Sequence, residues 1–209
     1  MSTPETHTPD LAQIEVHGMS RQSFILRGAL AAGAAYGLGA VGPFVSNALA
    51  ASSSSDVDIL NFALTLEYLE ANFYNVKAKS VGLSGDAAAT AALFGSQEQD
   101  HVNALISAIK SMGGKPVAMP SFVFPASSQA SFLQLAYKLE NVGVGAYNGA
   151  GPSLTSPQLL AAAGSIVQVE ARHAATIGLL TSQPVTPDGA FDKPLNKNQV
   201  LADVKPLIK

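Results

Sequence analysis

Four long stretches of the chain carry apolar residues at helical spacing. Over residues 56–79, Leu60, Leu64, Ala71, Tyr74 and Ala78 step along one stripe by fours and threes, with Glu67 among them. Val81-Gly82-Leu83-Ser84-Gly85 breaks the pattern. A second helix is predicted over 86–112, with the stripe Phe94, Glu98, His101, Leu105, Ala108, Met112, ended by Gly113-Gly114. A third covers about 129–149, with Ser128 as N-cap and Phe132, Ala136, Glu140, Gly143 and Tyr147 on its stripe. Ser156-Pro157 reads as an N-cap followed by a first-turn proline. It opens a fourth helix that runs to about residue 181 with Leu159, Ala163, Ile166, Glu170, His173, Ile177 and Leu180 inward. The connection 115–127 carries Pro116, Pro120 and Pro125, so it is not helical. The tail 183–209 holds four prolines and is expected to be mostly extended, with a short helix near 199–204. The pattern gives an all-α fold class.

The first fifty residues are of another kind. A polar lead reaches Ser20-Arg21-Gln22-Ser23-Phe24, then a weakly hydrophobic Ala/Gly-rich run from 28 to 41, then Ala48-Leu49-Ala50-Ala51. Small residues at 48 and 50 suit a signal peptidase, so cleavage is expected after Ala50. The segment resembles a twin-arginine export signal and departs from it at the second arginine, where Gln22 stands. Its glycines and Pro43 make the run a poor permanent span, so a membrane would be met only through an uncleaved signal. The expected organisation is an export signal over 1–50, a helical domain over 51–182 and a tail over 183–209, with the mature protein periplasmic or extracellular.

The chemistry comes from where the ionisable residues fall. Glu67, Glu98, His101, Glu140, Glu170 and His173 all sit on apolar stripes, where a lone charge costs several kcal/mol or is neutralised. After Ala50 there are only five Glu, adding Glu70 to those just named, and only two His. Both His follow a Glu by three residues, which places each pair on one helical face, one turn apart. A shared metal centre accounts for an acidic residue on every stripe: cations offset the repulsion among carboxylates and use both imidazoles. The halves also repeat. Leu66-Glu67 is followed seven residues later by Tyr74-Asn75, and Leu139-Glu140 by Tyr147-Asn148. Glu67 to Glu98 spans 31 residues and Glu140 to Glu170 spans 30.

Composition narrows the partners. The chain of 209 residues is 47% hydrophobic and 13% charged, enough for one domain with a full core. The net charge of −3 implies no broad basic surface, and nucleic acid is not an expected partner. No cysteine is present, so disulfides and thiolate metal ligands are excluded.

The ordered set of Glu with Tyr seven on, E-x-x-H, Glu with Tyr seven on, E-x-x-H resembles the ferritin-like superfamily, which includes bacterioferritins, rubrerythrins and manganese catalases. More narrowly, it is similar to an exported ferritin-like domain family of bacteria and fungi related to desiccation-associated proteins. The resemblance implies an antiparallel four-helix bundle with a long crossover between helices 2 and 3. It implies that Glu67 and Glu140 are terminal or bridging carboxylates, and that Glu98 with His101 and Glu170 with His173 are two chelating pairs. Glu67 is preferred over Glu70 as the helix 1 ligand because it alone has Tyr74 at the repeated spacing; Glu70 stays open as an additional ligand, as a support to the ligands, or as a residue on the rim of the site. Tyr74 and Tyr147 are core aromatics that could also support the ligands by hydrogen bonding. Asp100 and Arg172 point off the stripes and are expected on the solvated face, though Asp100 could orient a neighbouring His.

These ligands suit two iron ions, with manganese sharing the same set. The expected activity is oxidase-like, ferroxidase-like or peroxide-handling redox chemistry with dioxygen or peroxide. A stress-associated structural or metal-binding protein without turnover, and a manganese-catalase-like enzyme, are the alternatives. Assembly into a homo-oligomer is left open.

Overall fold

The computed structural model describes residues 56–209. The export segment, its Ser20-Arg21-Gln22 motif and the cleavage position after Ala50 lie outside the described residues. Helix α1 (Asp56–Asn72) continues without a break through a π-helical segment (Phe73–Lys77) and a last α turn (Ala78–Val81). It is followed by α2 (Gly85–Ser111), α3 (Gln129–Ala150), α4 (Pro157–Thr181) and a short α5 (Lys197–Val204). Each of the first four presents one apolar stripe to the others. The close pairs are α1 with α2 and α3 with α4, joined through the proline-rich crossover.

Local chemistry sets the helix ends. Gly82 leaves α1's last turn in the left-handed conformation, φ 71°. Ser128 and Ser131 form a capping box at α3. The Ser156 side chain accepts from the Leu159 N–H, and Pro157 occupies the first turn of α4. Asn196 and Gln199 form a second capping box, so α5 begins two residues before the predicted start. Met112 is not an inward stripe residue: it follows the last turn of α2 and is 41% exposed, with Gly113 at φ +74° reversing the chain.

The π-helical segment was not legible as such. Consecutive residues of a regular α-helix point about 100° apart, so two large neighbours do not normally both face a core. The widened turn lets Phe73 and Tyr74 do so, at 0% and 3% exposure. It also lets the Asn75 side chain donate to the Gly95 carbonyl of α2 at 2.7 Å.

The tail runs back over the bundle. Leu195 crosses α3 where Gly145 and Gly149 leave its surface bare: its N–H donates to the Gly145 carbonyl at 2.8 Å, and a Cβ at Gly149 would meet the Leu195 carbonyl. Val200, Val204 and Leu207 are buried in the core. Phe122 of the crossover forms a single antiparallel bridge with Ile208, the one bridge among the described residues.

The interior has three layers. One apolar cluster holds Phe73, Tyr74, Phe94, Phe124 and Phe132 with tail residues Val200 and Val204. Another, nearer the α1 N-terminus, holds Leu60, Leu64, Val102, Leu105, Ile109, Ile166 and Tyr147. Between them, one turn from either, lie the buried acids and imidazoles.

Candidate metal centre

Each of the four long helices delivers its ionisable residues to the same layer because the stripe spacing places them at matching heights. Glu67, Glu98, Glu140 and Glu170 are fully buried, Glu70 is 3% exposed, and His173 is 1% exposed. His101 is the most accessible member, with 12% of its side chain exposed.

Their donor atoms form two groups, each within 4.8 Å: Glu67, Glu98, His101 and Glu170 in one, and Glu98, Glu140, Glu170 and His173 in the other. Glu98 and Glu170 belong to both. In the first, His101 Nδ1 lies 3.2 Å from Glu67 Oε2, 3.1 Å from Glu98 Oε2 and 3.1 Å from Glu170 Oε1. In the second, His173 Nδ1 lies 2.8 Å from Glu98 Oε1 and 3.4 Å from Glu140 Oε2. The two oxygens of Glu98 therefore face different imidazoles, which is the geometry of a bridging carboxylate.

Without a cation this layer keeps protons to hold itself together. Burial, then repulsion from Glu170, pushes Glu67 and Glu70 well above the carboxylate range. Burial raises Glu140 against the opposing pull of the His173 imidazole. Burial and the neighbouring Glu98 charge raise Glu170 to about 8. Glu98 goes the other way, to about 2: burial opposes its ionisation, but the His101 and His173 imidazoles facing its two oxygens prevail. Burial disfavours imidazolium too, yet carboxylate bonds lift His101 to about 12 and His173 to about 10.

The donor set fits metal ions on three observations. Glu98 Oε1, Glu140 Oε2, both Glu170 oxygens and His173 Nδ1 are buried atoms that make no hydrogen bond of proper geometry, even where an imidazole and a carboxylate face each other at 2.8–3.4 Å; all sit on residues of the two groups. Buried polar atoms are rarely left so. Moreover, Nδ1 of His101 faces three carboxylates and could donate a proton to only one; a cation among them serves all. The other nitrogen of His173, Nε2, lies 2.7 Å from Gln97 Oε1. A proton donated there leaves Nδ1 as the lone-pair nitrogen of a neutral ring, as a metal ligand requires.

Comparison with known proteins agrees with this geometry. Residues 55–183 match the model of the ferritin-like domain. The chain belongs to the ferritin-like domain family. No curated protein matches it. A conserved hypothetical protein, Rv2844, from Mycobacterium tuberculosis has a similar fold: TM-score 0.55 at 19% identity, over 64% of this chain and 94% of the other. A ferritin-like, diiron-carboxylate protein from Bacillus anthracis str. Ames is 26% identical over 60% of this chain and 94% of its own, with TM-score 0.53.

In this ferritin-like bundle the repeated tyrosines cross over between the halves. Tyr74 of α1 donates to Glu140 Oε1 of α3, and Tyr147 of α3 donates to Glu67 Oε1 of α1, both at 2.5 Å. Each fixes the oxygen turned away from the imidazoles. Burial, then the bonded carboxylate's charge, holds both phenols well above their ordinary range, so they remain donors. Glu70 enters neither four-donor group, but it is not at the rim: it lies buried against the centre of the layer. Its counterpart in the repeat is Gly143, where an added Cβ would sit 3.2 Å from both Glu70 Oε1 and Glu170 Oε2. The missing side chain at 143 leaves the space that Glu70 shares with Glu170.

Asp100 does not take the histidine-orienting role; it is exposed, as is Arg172. That role falls to Gln97, which the stripe did not reveal because it is off the helix's inward face by one residue. Phe94 stacks on His173, centroids 3.8 Å apart, and fixes the ring plane.

Proposed function

We propose that the chain holds a dinuclear centre, with iron in both positions, and uses it in oxidase-like, ferroxidase-like or peroxide-handling chemistry outside the cytoplasm. The supporting observation is the pair of four-donor groups that share Glu98 and Glu170. Glu67 and His101 would complete one position, Glu140 and His173 the other, with Glu70 as a fifth carboxylate beside them. An all-oxygen and nitrogen set suits iron and also manganese. A pair of redox-active ions would supply electron transfer with dioxygen or peroxide.

The protein's share is positioning and exclusion. Tyr74, Tyr147 and Gln97 hold the ligands at fixed angles, and the apolar layers on either side keep out bulk water. The exposed edge of His101 is the side from which a small oxidant reaches the layer. Export rests on residues 1–50 and is tested by N-terminal sequencing of the mature protein, expected to begin at Ala51.

Anaerobic ferrous titration of the full chain should saturate at two ions, and a double variant, Glu98→Ala with His101→Ala, should lose both. Two ions retained by that variant would sink the assignment. Addition of oxygen or peroxide to the loaded protein then asks about turnover. The near-complete burial of the ligands favours a second reading, a metal that fixes the bundle without turnover. A raised melting temperature with no oxygen or peroxide consumption would select it.

A further inference from the structure

One cavity borders the metal layer. Its volume is about 60 Å³, and among its walls are Leu60, Ala63, Leu105, Tyr147, Ala163 and Ile166. These positions lie at one end of the layer. Leu105 is four residues after His101, Ile166 four before Glu170, Ala63 four before Glu67, and Tyr147 seven after Glu140. All four antiparallel helices thus place their cavity residues one to two turns from their ligands, in the same direction. Tyr147 is the partition: its ring lines the cavity and its hydroxyl is bonded to Glu67.

The lining states the chemistry of the occupant. Every wall residue other than Tyr147 has an apolar side chain or none, and the Tyr147 hydroxyl is already engaged. A buried water needs two to four polar partners, so this cavity does not suit water. Nothing in it recognises a charged or hydrogen-bonding group. At roughly 10–15 Å³ per water-sized position, its volume corresponds to about four to six such positions, more than dioxygen needs. Its rim includes Ala104 of α2 and Ala162 of α4, both exposed, and Ala108 and Ala163 beside them. Four methyl side chains along the seam between two helices that pack only loosely leave a slot rather than a closed wall.

We propose that this cavity binds the aliphatic segment of an apolar molecule, entering through the alanine-lined seam between α2 and α4 and ending against Tyr147. This names a substrate class for the metal-centre reading, on which it rests only for the chemistry after binding; the binding step does not need the metal.

The test is calorimetric titration of the full chain with 1-octanol, with and without two equivalents of ferrous iron under anaerobic conditions. Saturable one-to-one binding is expected in both forms. Ala163→Leu, which fills the cavity, should weaken it at least tenfold, and Ala104→Leu, at the exposed rim where folding is not at risk, should weaken it as well. Ala161→Leu, exposed on α4 and outside the lining, should not. Absence of saturable binding, or equal affinity in wild type and both filled variants, would overturn the proposal. Octanol binding with failed iron binding would leave the cavity assignment standing and remove the dinuclear reading; two bound ions without octanol binding would do the reverse.

Discussion

The two ends of the ionisable layer carry the same hydrogen bond in different surroundings. At one end Tyr74 bonds Glu140 inside a cage of rings, with Phe73, Phe94 and Phe132 centroids 5.2, 5.6 and 5.9 Å away. The tail's Val200 and Val204 join the same cluster. At the other end Tyr147 bonds Glu67 beside leucines, isoleucines and alanines, with the cavity behind it. Aromatic rings fill space with few rotamers, while small side chains at successive turns leave gaps that backbones cannot close. A repeat that is symmetric in its ligands is thus asymmetric in its packing: one end is sealed and the other is open.

Glu70 and Gly143 break the symmetry again, within the layer. The first half contributes an extra carboxylate, and the second half contributes the absence of a side chain that makes room for it.

The largest expected effect concerns what the two ends share. Metal bound at 1,000 times its dissociation constant stabilises by about 4 kcal/mol. For a chain of this size that raises the melting temperature by about 8–16 °C. Scanning calorimetry of chelator-treated and reloaded protein measures it. A shift below about 2 °C, the least that 1 kcal/mol gives in a chain of this size, would mean that neither end depends on an occupied layer.

Proton release should come next and should separate the ends. The folded values of Glu170, about 8, and of His173 and His101, about 10 and 12, lie above their ordinary values of 4.5 and 6.5. In each case the folded state keeps a proton that the unfolded state has released. Stability is therefore lost as pH rises, from about 4.5 towards 8 for Glu170 and from 6.5 upward for the histidines. Glu98, lowered to about 2, acts oppositely and loses its contribution only as pH falls from 4.5 towards 2. The melting temperature of the metal-free protein should fall between about pH 5 and about pH 9. NMR titration should show His173, on the sealed side, deprotonating before His101. A flat melting profile or the reverse order would contradict this sharing of protons among the buried acids and imidazoles.

Tyr74→Phe and Tyr147→Phe each remove a bond to a buried carboxylate, at a cost of about 1–3 kcal/mol. Equal losses in urea denaturation of the metal-free protein would show that the two bonds are equivalent despite their surroundings. A difference above about 1 kcal/mol, half the width of that range, would show that packing, rather than the bond, sets their strength.

The smallest effect is expected at the cavity. At about 24 cal/mol per Å³, a void of this size corresponds to about 1.4 kcal/mol. Ala163→Leu should therefore raise the melting temperature by about 3–6 °C while ligand binding is lost. A comparable substitution at the sealed end, Ala136→Leu, where the residue is fully buried, should lower it.

Much of this was written along the chain. Ser128, Ser156 and Pro157 announced two helix starts by their hydrogen-bonding capacity, and the stripes announced which faces meet. Five glutamates and two histidines announced the ionisable layer, because charge on an apolar stripe has no other economical explanation. The π-helical turn at Phe73 was hidden, since it exists to bury two adjacent rings against partners far away in sequence. Gln97 was hidden because only the α2–α4 crossing brings it to His173. Leu195 over Gly145 and Gly149 carried a signal, two small residues one turn apart, but not the identity of the segment that lies on them.

Periodicity is a local property, so the sequence by itself determined the four helices, their inward faces and the residues of the ionisable layer. Distances between helices are not local. Tertiary structure decided that Glu98 and Glu170 are shared between two donor groups, that each tyrosine serves the opposite half, that Glu70 lies over Gly143, and that one end of the layer is packed shut while the other keeps a cavity. All of these depend on how side-chain volumes from different helices meet, and no single stretch of the chain encodes that sum.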